Sequence, residues 1–177
     1  MNSKIISPSS ASRLARRLRA QGKTIVFTNG TFDLLHVGHV ASLEKAKRLG
    51  DVLMVGVNSD RSVKTYKGPD RPINPEKDRL RVLAGLTAVD YAVLFSESTP
   101  LNLILKIRPH ILVKGSDWKK AQIAGAREVE SWGGSVKRIR LEPGRSTTRL
   151  IMSLRARRAK QSGFKSRLLR RPSASSQ

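Results

Sequence analysis

Thr24-Ile25-Val26-Phe27-Thr28-Asn29-Gly30-Thr31-Phe32-Asp33-Leu34-Leu35-His36-Val37-Gly38-His39 opens on a β-branched apolar run, crosses a polar loop and ends where a helix begins. A short, continuously apolar run bounded by a turn reads as a strand buried on both faces. The loop behind it has the outline of a phosphate site. Gly30 lets a ligand approach the backbone, Gly38 leaves room beside the two imidazoles, and the free N–H groups at a helix start attract anions. His36 and His39, three residues apart across the turn, can both donate hydrogen bonds to one triphosphate and stabilise charge that develops during a reaction. Asn29, Gly30, Thr31, Phe32 and Gly38 are accordingly placed at a nucleotide, and His36 and His39 at the reacting centre. A lone pair of histidines in such a loop is more often incidental or a helix cap, and a metal site is another reading. Asp33 orients a histidine or a backbone amide, or serves the helix entrance.

From Thr24 onward, β-branched runs alternate with longer amphipathic stretches. Thr24–Thr28, Val52–Val57, Tyr91–Phe95, His110–Val113 and Val136–Leu141 read as five strands, the last an edge because charged residues interrupt it. His39–Leu49, Pro75–Leu86, Thr99–Ile107, Ala121–Trp132 and Ser146–Arg158 have helical spacing. The pattern predicts an α/β fold: a Rossmann-like, doubly wound, five-stranded, mainly parallel sheet with helices on both faces. In such sheets ligands bind beyond the carboxyl ends of the strands, where the strand order reverses. Leu14, Leu18 and the alanines near them predict a first helix. The division expected is a basic N-terminal helix over 1–22, one domain over 23–154 and a basic tail over 155–177, disordered from Arg170.

A chain of 177 residues with 38% hydrophobic content can bury one core. With no Cys, disulfides, Cys-ligated zinc, iron–sulfur clusters and thiol nucleophiles are excluded. No apolar run is long enough to cross a bilayer, so no membrane partner and a cytoplasmic location are expected. The first 23 residues also read as a transit peptide, a reading ranked second. The net charge of +22 is uneven: residues 1–23 hold six Lys or Arg and residues 155–177 hold eight, with no acid in either, while the middle has 21 basic against 13 acidic residues. The moderately basic middle suits anionic substrates, and the ends suit weak binding of polyanions. A homodimer is compatible with the sequence.

Three other loops carry candidates. Lys64, Lys67 and Arg71 lie in VKTYKGPDRPIN, read as a flexible positive loop that closes on phosphates. Lys114, Gly115, Asp117 and Trp118 follow the fourth strand: a lysine for phosphate, a glycine for close approach, and Asp117 or Trp118 for ribose or base, Trp118 being equally readable as an apolar lid. His110 reads as structural. Arg145, Ser146, Thr147 and Thr148 precede the last helix and make a second helix-terminus phosphate site, although Ser146 alone would be an ordinary N-cap.

His-x-Gly-His after a first strand resembles the HxGH motif of the nucleotidylyltransferase superfamily. TNGTFDLLHVGHVASLEKAKRLGD, VGVNSDRSVKTYKG, RPINPEKDRLRVLAGL, VDYAVLF, RPHILVKGSDW and EPGRSTTRLI occur in that order and are similar to the adenylyltransferase domain of bacterial ADP-heptose synthases. The resemblance covers roughly 22–152. It implies transfer of AMP from ATP to D-glycero-β-D-manno-heptose 1-phosphate, with release of pyrophosphate. It further implies that Lys67 contacts the acceptor phosphate and that Arg145–Thr148 bind the leaving phosphates; Arg71, ahead of Pro72, is placed at the substrate and can hold an acid or a phosphate. The activity is often fused to a sugar kinase, so a stand-alone form is expected. Thr31 stands where these domains often have Cys, and the Arg-rich tail lies outside their pattern. No general base is needed for an acceptor already anionic. Mg²⁺, held mainly by triphosphate oxygens and water, is the cofactor expected, with no protein metal ligands. A cytidylyltransferase acting on glycerol phosphate or another small phosphate, and a nucleic-acid-binding module, are the competing readings.

Overall fold

The apolar run at Ile25–Phe27 becomes the interior strand its composition predicts. All three side chains are fully buried in β2 (Ile25–Gly30), and parallel neighbours flank it on both sides. The computed structural model describes residues 3–140, 151–154 and 156. In chain order the elements are β1 (Ile5–Ile6), α1 (Pro8–Ala20), β2, α2 (Val37–Lys47), β3 (Val52–Asn58), α3 (Asp60–Lys67), α4 (Glu76–Ala84), β4 (Tyr91–Phe95), α5 (Leu101–Ile107), β5 (Ile111–Gly115), a 3-10 turn at Lys120–Gln122, α6 (Ala126–Ser131) and β6 (Ser135–Ile139). The strands form one parallel sheet in the order β1-β4-β3-β2-β5-β6. The doubly wound α/β architecture is as expected, with six strands instead of five.

The added strand is the pair Ile5–Ile6, which lies against Ala92 and Val93 and is too short to show a period in sequence. α1 follows at once, with Ser7 as N-cap accepting from the Ser10 N–H and Pro8 in the first turn. Its Ala11 and Ala15 are fully buried, in one core with Phe27, Met54, Val93, Leu103, Ile104, Ile107 and Leu112. That core lies under α1, α5 and α6. Leu43, Leu80 and Leu83 build the opposite one with Val26, Leu53, Val55 and Ala92, under α2 and α4. Alternate residues of each strand thus serve opposite faces.

Two helix expectations change. The stretch predicted as one helix over Ala121–Trp132 splits into the 3-10 turn and α6, because Gly125 adopts φ 84° and breaks the helical path. The stretch expected to be a flexible loop around Lys64 and Lys67 is the helix α3. Ser59 caps it, accepting from the Ser62 N–H at 3.2 Å, and Gly68 at φ 92° ends it, so the glycine terminates the helix instead of excluding it.

Contacts divide the chain into two units, Met1–Pro143 and Gly144–Gln177. In the second, residues 151–154 and 156 are helical; the rest of the helix expected over Ser146–Arg158 lies outside the described residues. Among the described residues no helix is long and apolar enough to cross a membrane. In the first unit the chain leaves β2 for β3 on one side and returns to β5 on the other. The order therefore reverses between β2 and β5, and the loops after these strands flank the crevice where such sheets bind ligands.

Candidate active site

Gly30 ends β2, and the chain then turns through Phe32 at a left-handed φ of 49°. A Cβ on Gly30 would meet the Phe32 ring at 3.1 Å, so this glycine makes space for the ring as well as for the turn. Phe32 in turn sets its ring edge-on to His39, with centroids 5.4 Å apart. α2 begins at Val37 and not at His39, which makes His36 the extended N-cap (φ −141°, ψ 167°) and puts His39 in the first turn. Among the described residues no side-chain capping hydrogen bond is made at the start of α2; the His39 N–H turns back to the His36 carbonyl at 2.9 Å, and the N–H groups ahead of it suit an anion. The His36 and His39 rings stack at 3.8 Å between centroids, inclined by 24°. Burial first, then the His36 and Lys67 charges, lower the His39 pKa to about 4. At neutral pH His39 is therefore an uncharged imidazole with one N–H to donate. Among the described residues its Nδ1 and the Asn29 Oδ1 are buried without a hydrogen-bond partner.

Asp33 orients backbone amides, one of the roles read for it, and the amides are not those of α2. It accepts from the Ile73 and Asn74 N–H groups at 2.8 and 3.0 Å and from Arg71 Nε at 2.7 Å. Asp33 is almost fully buried and Arg71 largely so. Arg71 thus holds an acid, which fixes the 71–74 segment beside the loop after β2. Arg79, on α4, is the residue missed in sequence. It is fully buried and donates to the carbonyls of Asn74 (3.0 Å), Thr31 (2.6 Å) and Asn58 (2.8 Å) and to Asp60 Oδ1 (2.7 Å). One guanidinium joins the ends of β2 and β3, the start of α3 and the 71–74 segment. The signal for it was an arginine next to Leu80 and in line with Leu83 on the buried stripe of α4.

Lys67 closes α3, and its charge bears on His39. Its own pKa is lowered, by desolvation first and then by Arg71, with Arg79 adding and Asp33 opposing. Across the crevice, Lys114 donates to the Asn29 carbonyl at 3.3 Å and lies 5.4 Å from the centre of the Trp118 ring. Burial pulls its pKa down to about 8, against the pull of Asp117. Gly115 ends β5, and Asp117 and Trp118 are exposed. His110 is structural as expected, its Nδ1 accepting from the Ile25 N–H at 2.9 Å. Arg145, Ser146, Thr147 and Thr148 lie outside the described residues.

Residues 27–167 match the family model described as cytidylyltransferase-like. The chain belongs to the cytidylyltransferase-like family. It is 55% identical over 136 residues to the bifunctional protein HldE of Methylobacillus flagellatus, covering 77% of this chain and 28% of that one. With the bifunctional protein HldE of Syntrophotalea carbinolica it is 56% identical over 133 residues, 75% of this chain and 27% of the relative. The chain thus spans under a third of the length of these relatives. A crystal structure of the lipopolysaccharide core biosynthesis protein of Thermoplasma volcanium superposes with a TM-score of 0.57 at 32% identity, covering 68% of this chain and 98% of that one.

Membership makes the chain a nucleotidylyltransferase, and the site has the charge for that chemistry. The first N–H groups of α2, the two imidazoles, Lys67 and Lys114 are donors or cations, and the buried carboxylate Asp33 is already engaged by Arg71. Among the described residues no group of three or more His, Asp or Glu could hold a metal ion. The donors and cations of the site suit a triphosphate, whose oxygens would carry a divalent ion, and such an ion would offset charge on the leaving pyrophosphate.

Proposed function

We propose that this chain transfers AMP from ATP to D-glycero-β-D-manno-heptose 1-phosphate. An oxygen of the acceptor phosphate attacks the α-phosphorus of ATP, a new P–O–P bond forms, the α–β phosphoanhydride bond breaks and pyrophosphate leaves. Lys67 carries the acceptor phosphate to the α-phosphorus, and His36 and His39 donate to the charge that develops on the pentavalent centre. Lys114, the residues around Gly30 and the start of α2 hold the nucleotide, with Arg145–Thr148 on the leaving phosphates and Mg²⁺ riding on the triphosphate. The observation that carries this reading is the stacked His36–His39 pair at the start of α2, with Lys67 near enough for its charge to act on His39. Identity above one half with two proteins named HldE supports ATP and a sugar phosphate over other pairs.

A coupled pyrophosphate-release assay across the four NTPs and a panel of sugar 1-phosphates and glycerol 3-phosphate tests it. ATP with the heptose 1-phosphate is expected to be the best pair, and His39→Ala to lower its turnover at least about a hundredfold. CTP with glycerol 3-phosphate as the best pair would instead establish the cytidylyltransferase reading, which the family description favours.

A further inference from the structure

Lys67 stands on the part of α3 that is least fastened to the domain. The start of α3 is well held: the Asp60 N–H donates to Glu76 Oε2 at 2.8 Å, its carboxylate accepts from Arg79 at 2.7 Å, and Ser62 donates to the Glu97 carbonyl at 3.0 Å. Ser62 and Val63 are buried. From Lys64 to Lys67 every residue is exposed. Among the described residues, one side-chain hydrogen bond joins this last turn to the rest of the domain, between Tyr66 OH and Thr31 Oγ1 at 2.5 Å. Thr31 is a firm anchor, only 8% exposed and with its carbonyl held by Arg79. Tyr66 is 51% exposed, so core packing does not account for its place. Lys67 Nζ lies 5.9 Å from the Tyr66 ring centre.

We propose that the Thr31–Tyr66 hydroxyl pair is a positioning device, holding the last turn of α3 so that Lys67 faces the His36–His39 pair. The inference rests on the reading of Lys67 as the acceptor-phosphate residue. A tether has work to do here. Arg71 and Arg79 are like charges to the Lys67 ammonium and Asp33 an opposing one, so motion of the turn away from the two guanidiniums would relieve that repulsion. Gly68 follows with φ 92°, a conformation that ends the helix and leaves nothing helical beyond it to oppose that motion. The Tyr66 hydroxyl opposes it from one residue away, and the ring under Lys67 adds a cation–π contact.

Tyr66→Phe, Thr31→Val, their double variant and Thr31→Ser separate a positioning role from a structural one. Two measurements are made on each. The first is the steady-state KM of the acceptor beside the Kd of ATP. The second is the pH dependence of Lys67 acetylation by acetic anhydride in the free enzyme, read by mass spectrometry. Tyr66→Phe and Thr31→Val are expected each to raise the acceptor KM about five- to tenfold, the scale of one hydrogen bond. The double variant should raise it no more than either, ATP affinity should hold in Tyr66→Phe, whose residue is not among those placed at the nucleotide, and the Lys67 titration should move up towards the ordinary lysine value. Thr31→Ser, which keeps the hydroxyl, should keep the Lys67 titration of the natural protein. Unchanged KM and Lys67 titration in both single variants would overturn the inference, as would additive losses or a Thr31→Ser variant as impaired as Thr31→Val. If no acceptor releases pyrophosphate even with the natural protein, the functional reading fails, and the acetylation measurement still decides whether the hydroxyl pair places Lys67.

Discussion

His39 stands in the first turn of α2, where the proposed phosphate site would meet it, and burial, then His36 and Lys67, hold its pKa at about 4, well below the ordinary histidine value of about 6.5. Between these values the unfolded chain binds a proton that the folded chain does not. This contribution to stability is full above about pH 6.5 and is lost as pH falls towards 4. Urea unfolding at pH 4.5 and 7.5 should show that loss in the natural protein and a smaller one in His39→Asn. Equal losses would mean that His39 is not held uncharged. Lys67 and Lys64 offer a second comparison, since each removes one positive charge from the last turn of α3. Lys67→Ala should cost about 2 to 4 kcal/mol in kcat/KM for the acceptor, the scale of an unpaired phosphate charge. Lys64→Ala should change little. Equal, small losses would indicate general steering by charge in place of a specific contact.

At the scale of elements, the loops after β2 and β3 hold their shape through Arg79 more than through their own hydrogen bonds. Its guanidinium serves three carbonyls and Asp60, with no side-chain exposure, so removing it strands a carboxylate and three acceptors. Arg79→Met should destabilise the protein by about 3 to 5 kcal/mol, as breaking a buried charged pair does. The measurement is a urea unfolding curve at neutral pH. Arg79→Lys should recover only part of the loss, because an ammonium cannot span four acceptors in the plane of a guanidinium. A melt unchanged by Arg79→Met would show the loops to be held by other means.

In the Met1–Pro143 unit as a whole, the basic N-terminal segment is built into the architecture. β1 extends the sheet beyond β4, and Ala11 and Ala15 sit in the core with Leu14 and Leu18 packed against them. Arg13, Arg16 and Arg17 occupy the exposed face of the same helix, so one helix supplies both the apolar cover and the positive surface. Deleting residues 1–22 should expose the face of Phe27, Met54, Leu103 and Ile107 to water. Cooperative thermal unfolding should then be lost or shifted far down, since each such side chain contributes about 1.5 to 3 kcal/mol by its burial. A truncated chain melting like the full one would show that the sheet closes its core without α1.

The parallel sheet, its interior strands and the histidine loop were legible in the sequence because they rest on local chemistry. Ile25–Phe27 and Leu53–Val55 are continuously apolar, and Asn29–His39 carries its glycines and imidazoles within one short segment. His110 was legible as structural for the same reason, standing at a strand start. The Gly68-Pro69 pair makes the whole segment look like a loop in sequence, yet it acts only on the end of α3. β1 escaped because two residues carry no period. Arg79 lies on the buried stripe of α4 and Arg71 can be read as holding an acid, but neither their partners nor the Thr31–Tyr66 bond could be read, because they lie 48, 38 and 35 residues apart in the chain. Local composition determines which segments can be buried and which can meet a phosphate. Which distant carbonyl or hydroxyl a polar side chain reaches is decided only when the sheet brings the ends of β2 and β3 side by side, because an unpaired polar group there costs more than the chain entropy of bringing it to a partner.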